Sequence, residues 1–287
     1  MFRYTPLVIS AEAGLFQEFY MVSEVGLLCS IEGQAELQLL QWVVKRFFKH
    51  VLYSLLTQRY GCLIMASSTP KSMPELVARL WARSRLTTSR TADILSVVDR
   101  ADFVHSGHCY EDRPLPIGFN ATISAPHMHA YALDKLESRL KPGAKALDVG
   151  SGSGYLCVCM ALMTGPNGQV IGVEHIPDLV NLSIRNISLH HRDLLAAQRL
   201  VIVQADGRNG WVGNAPYDVI HVGAACKEVP KTLIDQLAPL GRLLLPVGDA
   251  NGQNMLIIDK DESGKVTIEK DWSVIYIPLT SREEQCR

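Results

Sequence analysis

The stretch Asp148-Val149-Gly150-Ser151-Gly152-Ser153-Gly154 constrains this chain most. An apolar run from Ala146 ends on a carboxylate, three glycines follow at every second position, and Tyr155 to Leu162 can continue as a helix. That order is strand, tight turn, helix start. Glycines suit such a turn because the backbone must bend without Cβ atoms and let a ligand approach the amides of a helix N-terminus. A dinucleotide fingerprint spaces its glycines G-x-G-x-x-G and sets a pyrophosphate over them. Here the spacing is D-x-G-x-G-x-G. A carboxylate beside the turn repels a pyrophosphate and favours an α-amino group, directly or through water. The pattern therefore favours an amino-acid nucleoside, S-adenosylmethionine, over NAD, with an ordinary strand-to-helix turn as the remaining alternative.

Downstream, strands and helices alternate as a parallel sheet requires. Val170 to Glu174 reads as a strand, Asp178 to His190 as a helix, and Leu200 to Gln204 as a strand closed by Ala205-Asp206-Gly207-Arg208. Tyr217 to Val222 is the next strand, Pro230 to Leu237 a helix, and Pro239 to Arg242 a turn into Leu243 to Val247. In a doubly wound sheet the carboxyl ends of the strands line the ligand crevice, which gathers Asp148, Glu174 and Asp206 on one edge. Asn254 to Asp259, Val266 to Glu269 and Val274 to Ile277 read as antiparallel strands added at one side. Ahead of the turn, Ser72 with Pro74 and Glu75 signals a capped helix, and Thr91 to Val98 a second. Residues His105 to Phe119 read as a loop that leads through Asn120 to His129 into a helix over 130–140. The hydroxyls there suit either an anion at a helix start or a simple cap.

Residues 1–64 differ in texture. Gln38 to Tyr53 reads as a basic amphipathic helix whose Lys45, Arg46 and Lys49 argue against a membrane span. Glu12, Glu18 and Glu24 break the pattern of a signal peptide. We expect a variable extension over 1–64 and one catalytic domain over 65–287. With 28 basic and 29 acidic residues the formal net charge is −1, which offers no general basis for nucleic-acid binding. Seven cysteines lie scattered without a paired framework, as in a reducing, cytosol-like compartment. His105 with His108, and His190-His191, lack a third ligand at zinc spacing, so no metal site is expected.

The chain from about Pro74 to Gln285 resembles the protein-L-isoaspartate (D-aspartate) O-methyltransferase family. The resemblance rests on Ile117-Gly118-Phe119-Asn120-Ala121-Thr122-Ile123-Ser124-Ala125-Pro126-His127-Met128-His129-Ala130, on the turn Leu147 to Gly154, on Asp206-Gly207, and on Ala215-Pro216-Tyr217-Asp218 with Ile220-His221-Val222-Gly223-Ala224. The segment before the glycine turn discriminates best, since many methyltransferases share the turn. The resemblance implies an α/β fold with a doubly wound, mostly parallel sheet of the S-adenosylmethionine-dependent methyltransferase type, C-terminal antiparallel strands and a small N-terminal helical preface. It implies transfer of a methyl group from S-adenosylmethionine, leaving S-adenosylhomocysteine, to the free carboxylate of isoaspartyl residues in damaged polypeptides. It further implies a monomer in the cytosol that uses no metal.

Carried over position by position, the resemblance puts Ser124 at the catalytic place. Ala121, Thr122, Ile123 and His129 would lie beside the cofactor, with Asp148, Gly150, Ser151 and Gly152 at the turn. Glu174 and His175 would take the ribose end, Asp206 and Gly207 the adenine, and Thr280 and Gln285 the closing contacts. Glu174 stands where the family often has Asp. A carboxylate nucleophile is already ionised at neutral pH, so no strong base is required. The chain has no Ser-His-Asp grouping at a nucleophile elbow, which disfavours an esterase. A small-molecule methyltransferase and an NAD-linked enzyme are competing readings that leave Thr122 to His129 unaccounted for, and intact Ser124, Asp148 and Glu174 argue against a third, a non-catalytic cofactor-binding adaptor.

Overall fold

The computed structural model of the protein describes residues 69–286. The expected extension 1–64, with its basic amphipathic segment, lies outside the described residues.

Two helices form the preface. In α1 (Met73–Ala82) the Ser72 hydroxyl accepts from the Glu75 amide and the Glu75 carboxylate accepts from the Lys71 amide, so the first turn is capped from both sides. Met73, Leu76, Val77 and Leu80 fall on one face and are buried. Helix α2 (Ser89–Val97) is capped by Thr88. Side chains latch the preface to the rest of the fold: Asp134 accepts from the Thr87 amide at 2.6 Å and from the Thr87 and Thr88 hydroxyls at 2.8 Å. Arg90 adds bonds to the carbonyls of Leu140 and Met163.

The segment expected as a loop instead contains a hairpin, β1 (Leu115–Gly118) and β2 (Ala121–Ile123). Its turn places Phe119 and Asn120 at φ 52° and 53°, a left-handed conformation that a Phe rarely adopts and that no local signal announced. Helix α3 (Pro126–Leu136) then starts four residues before the expected Ala130 and ends before the expected Leu140, because Pro126 at its first turn already has a helical φ.

Seven strands make the main sheet in the order β5-β4-β3-β6-β7-β8-β9. The parallel members are β3 (Lys145–Val149), β4 (Gln169–Glu174), β5 (Leu200–Gln204), β6 (Tyr217–Val222) and β7 (Leu237–Asp249). Strands β8 (Gly252–Lys260) and β9 (Val266–Val274) add on antiparallel. Helices α4 (Tyr155–Met163), α5 (Pro177–His190), α6 (Arg192–Ala196) and α7 (Lys231–Asp235) connect the parallel strands, and α8 (Arg282–Gln285) closes the described chain.

Alternation along each strand feeds two cores. Ala146, Val170 and Val219 pack with α1 to α4 on one face, while Leu147, Val149, Ile171, Ile220 and Leu233 of α7 pack on the other. Each fully buried Leu, Ile or Val there contributes about 1.5–3 kcal/mol, enough that the central strands need apolar residues on both faces. Helix α4 can lie against β4 only because of Gly172. A Cβ at Gly172 would sit 2.8 Å from Cys157 Sγ and 2.7 Å from Ile202.

Three boundaries differ from expectation. Leu237 opens β7 rather than ending a helix, and the expected turn Pro239 to Arg242 lies within β7 as a register irregularity, with Tyr217 opposite Leu237 but Val219 opposite Arg242. The strand expected over Val266 to Glu269 runs on to Val274 as β9, whereas Ile275 to Ile277, expected as part of a separate strand, lie in none. In β7 and in β9 pairing with a neighbouring strand overrides the local turn signal.

Candidate active site

The site grows from the end of β3. The amides of Gly150 and Ser151 both donate to the Val173 carbonyl, at 2.9 and 3.0 Å, which folds the turn back onto β4. Gly150, Gly152 and Gly154 take φ 76°, 50° and 85°, so side chains would strain all three positions. Glu174, at the end of β4, fastens the same turn from below. Its Oε2 accepts from the Gly152 amide at 3.1 Å and its Oε1 from the Ile176 amide at 3.0 Å.

A cleft of two joined lobes opens above this turn. The first is lined by Thr122, Ile123, Ser124, His129, Asp148 and Ser151, with Ser153, Tyr155, Leu156 and His221 among the other walls. The second is lined by Ala121, Glu174, His175, Gly207, Thr280 and Gln285, with Val173, Ala224 and Ile277 to Leu279. Thr122, Gly150, Gly152 and Gly223 border both. Every residue singled out from the sequence therefore faces one cleft except Asp206. That carboxylate turns away to Arg208, at 2.6 Å, and the pair holds its pKa below the usual carboxylate range. Asp206 does not end a strand either, since β5 stops at Gln204 and Asp206 caps a short 3-10 turn over 207–209.

Polar groups in the first lobe are positioned from three directions. Asp148 is buried, accepting from Cys157 Sγ at 3.0 Å through Oδ2 and lying 2.8 Å from His221 Nδ1 through Oδ1. Burial and the neighbouring Asp148 push the Cys157 thiol well above its ordinary pKa, so it keeps its proton and donates. His129, in the first turn of α3, stacks on Tyr155 with ring centroids 4.8 Å apart. Burial, then the Arg100 guanidinium, then His221 and His127 hold His129 well below the ordinary histidine pKa, which keeps it neutral. Ser124 stands between β2 and α3, next to the Tyr276 phenol. Burial pushes that phenol up, with the Ser124 contact opposing. Ser124 is not the helix cap: Ala125 holds that position and offers no side-chain bond.

The second lobe is closed by the C-terminal segment. Gln285 donates from Nε2 to the Phe119 carbonyl at 2.9 Å, its Oε1 meets His175 Nε2 at 2.7 Å, and its own carbonyl accepts from Asn120 Nδ2 at 2.8 Å. Thr280 bonds to Glu284 within the same segment. The left-handed turn at Phe119 and Asn120 is thus the docking point for α8.

Sequence reasoning missed His221, Tyr276, Tyr155 and Ser153 as site residues. A signal existed for His221: both it and Asp148 stand one residue before a Val-Gly pair, and parallel pairing sets them opposite each other. Tyr276 had none, because only the path of the chain after β9 brings it to Ser124. Among the described residues no group of three or more His, Cys, Asp or Glu side chains gathers where it could hold a metal ion.

Comparison with known proteins identifies this arrangement. A sequence model of the protein-L-isoaspartate(D-aspartate) O-methyltransferase (PCMT) family matches residues 71–284. A protein-L-isoaspartate O-methyltransferase of Caenorhabditis elegans is 50% identical over 218 residues, spanning 76% of this chain and 96% of the relative. Protein-L-isoaspartate O-methyltransferase 1 of Arabidopsis thaliana is 49% identical over 214 residues, spanning 74% of this chain and 93% of the relative. A crystal structure from Plasmodium falciparum, described as a protein-L-isoaspartate O-methyltransferase in complex with S-adenosyl-L-homocysteine, superposes with a TM-score of 0.69. It is 34% identical and covers 74% of this chain and 99% of its own.

Proposed function

This chain belongs to the protein-L-isoaspartate(D-aspartate) O-methyltransferase family, and from that premise we propose how its cleft carries out the reaction. The protein is an S-adenosylmethionine-dependent carboxyl O-methyltransferase that repairs isoaspartyl residues in damaged polypeptides. The cleft suits the cofactor on its own terms. Ser151 Oγ is buried on the cleft wall with no hydrogen-bond partner among the described residues, a cost that a polar ligand removes. The glycine turn leaves room for a ligand against the backbone, since a Cβ at Gly150 would meet nothing within 4 Å.

Bound there, the cofactor supplies an electrophilic methyl group on a sulfonium. Gly150, Ser151 and Gly152 hold its amino-acid end with Asp148 behind them. Ala121, Thr122 and Ile123 wall one side, with His129 beyond. Glu174 and His175 take the ribose, Gly207 with the Asp206 backbone the adenine, and Thr280 and Gln285 the closing face. Ser124 donates its hydroxyl proton to one oxygen of the isoaspartyl carboxylate and leaves the other free to displace the sulfur in line with the methyl. The nucleophile arrives ionised, so the protein's contribution is alignment rather than proton removal. The observation that carries this reading is the placement of Ser124 in the lobe that opens directly off the glycine turn.

We further read the working protein as a cytosolic monomer with no nucleic-acid partner, formed by residues 65–287 with 1–64 as an extension. Its near-neutral charge supports this reading, as do the free state of the described cysteines and the start of the family match at residue 71. No helix among the described residues is long and apolar enough to cross a membrane. A methyl-acceptor assay tests the function: an isoaspartyl peptide should yield a base-labile methyl ester, and the same peptide with normal aspartate should not. Equal methylation of both would refute isoaspartyl specificity.

A further inference from the structure

We propose that His221 is a cofactor-binding residue that accepts a hydrogen bond from the α-ammonium group of the cofactor's amino-acid end, with Asp148 as the residue that positions it. The proposal rests on the reading of the cleft as an S-adenosylmethionine site and assigns that site's cationic subsite.

The carboxylate before the glycines already holds two partners and has little exposed surface left for a third. Both oxygens of Asp148 are engaged, one by the Cys157 thiol and one by His221, and its side chain is 3% exposed. Its charge reaches the cleft through the imidazole. A carboxylate only accepts, so the proton of the 2.8 Å contact sits on His221 Nδ1. In the neutral ring that tautomer leaves Nε2 as a bare acceptor. Nε2 belongs to the ring edge opposite Asp148, lies at a residue that lines the first lobe, and takes no hydrogen bond from a described residue.

Charge selects the occupant. With the ring neutral, Asp148 brings one negative charge to the lobe, which attracts a cationic donor and repels a second carboxylate. The other imidazole in the lobe, His129, has the opposite setting. Among the described residues no carboxylate acts on it, and the Arg100 guanidinium does so from nearby. Of the two rings, His221 is therefore the one suited to an ammonium. Parallel register fixes its place, since Asp148 and His221 are paired across β3 and β6, both two residues before the cleft-facing Gly150 and Gly223.

The test compares two ligands by calorimetry on the full chain: S-adenosylhomocysteine, which carries the α-ammonium, and methylthioadenosine, which keeps the adenosine and thioether but lacks the amino-acid end. In His221→Asn the shorter amide can still donate to Asp148 but offers nothing at the place of Nε2. Its affinity for S-adenosylhomocysteine should fall by about ten- to a hundredfold, the range for a hydrogen bond to a charged group, while methylthioadenosine binds within about twofold of wild type. Normal methylthioadenosine binding also certifies a folded cleft. His221→Gln carries an amide oxygen to the Nε2 position and should recover part of the loss. Parallel weakening of both ligands, unchanged binding of both, or a Gln variant as weak as Asn overturns the proposal. If binding is unchanged but KM for an isoaspartyl peptide rises, His221 belongs to the substrate instead. Failure of wild-type protein to bind S-adenosylhomocysteine would strike the reading of the cleft, not the role of His221.

Discussion

The carboxamide of Gln285 and the imidazole of His175 meet at 2.7 Å across 110 residues of sequence, and this contact joins the C-terminal segment to the end of β4. The orientation of the amide follows from its other bond. Since Nε2 donates to the Phe119 carbonyl, Oε1 must face His175 and accept from its Nε2 proton. Gln285→Ala removes both side-chain bonds while the core stays intact. At about 0.5–1.5 kcal/mol per bond, or about 1–3 kcal/mol for the two, affinity for S-adenosylhomocysteine should fall by roughly five- to 150-fold with little change in Tm. Calorimetry and thermal melting on one preparation check this, and a large loss of Tm would make α8 a structural strut instead of a closing contact.

Ser124→Ala should lower turnover by about tenfold to a hundredfold, or roughly 1.4–2.7 kcal/mol of transition-state stabilisation, while cofactor affinity changes little. Because Ala125 caps α3 and Ser124 makes no cap bond, Tm should stay near wild type. Ser124→Thr should keep more activity than Ala where the extra methyl group fits. Single-turnover rates beside melting curves decide the matter: an unchanged rate removes Ser124 from the chemistry.

Glu174→Ala should weaken cofactor binding by about 1.5–3 kcal/mol, the range for a hydrogen bond to a charged group. The structure adds a cost that the sequence did not show. Glu174 accepts from the Gly152 and Ile176 amides, and removing it leaves both donors unsatisfied beside a buried turn. Tm should therefore fall as well, and Glu174→Gln, which keeps one accepting oxygen, should recover part of the fall. An Ala variant with full stability and full affinity would remove Glu174 from both roles.

His129 makes folding sensitive to acid. The unfolded chain protonates this imidazole near pH 6.5, whereas burial, Arg100, His221 and His127 delay protonation in the fold to well below that value. Between those two points the unfolded state binds more protons, so stability is full above about pH 6.5 and declines as the pH falls below it. His129→Gln should flatten that decline. Denaturant melts at several pH values between about 7 and 5 give the slope, and an equal slope in the variant would assign the acid sensitivity elsewhere.

A chain starting at Met65 should fold and keep its activity, because the preface helices and the described residues of both cores and of the cleft lie in 69–286. The readouts are solubility, affinity for S-adenosylhomocysteine and turnover on an isoaspartyl peptide. Loss of any of them would make part of 1–64 structural.

The alternation of apolar runs and the spacing of the glycines determined the parallel sheet, its order of strands and helices in the chain, and the turn that floors the cleft. The periods of 2 and 3.6 residues that mark those strands and helices are visible without a fold. Capping did the same for α1, where Ser72 and Glu75 announce the helix they bound. The residues around Ser124 were legible as a functional segment, chiefly through family resemblance, but their geometry was not. The β1–β2 hairpin turns on Phe119 and Asn120 in a left-handed conformation, held by a Gln285 that lies about 165 residues away. Pairing of Asp148 with His221 depends on two parallel strands settling in one register, and the reach of Tyr276 to Ser124 depends on where the chain runs after β9. Asp206 shows the converse, a carboxylate near a strand end whose side chain a neighbouring Arg208 draws out of the cleft. Such contacts are decided by the packing of whole elements, where burial over many side chains outweighs any local preference.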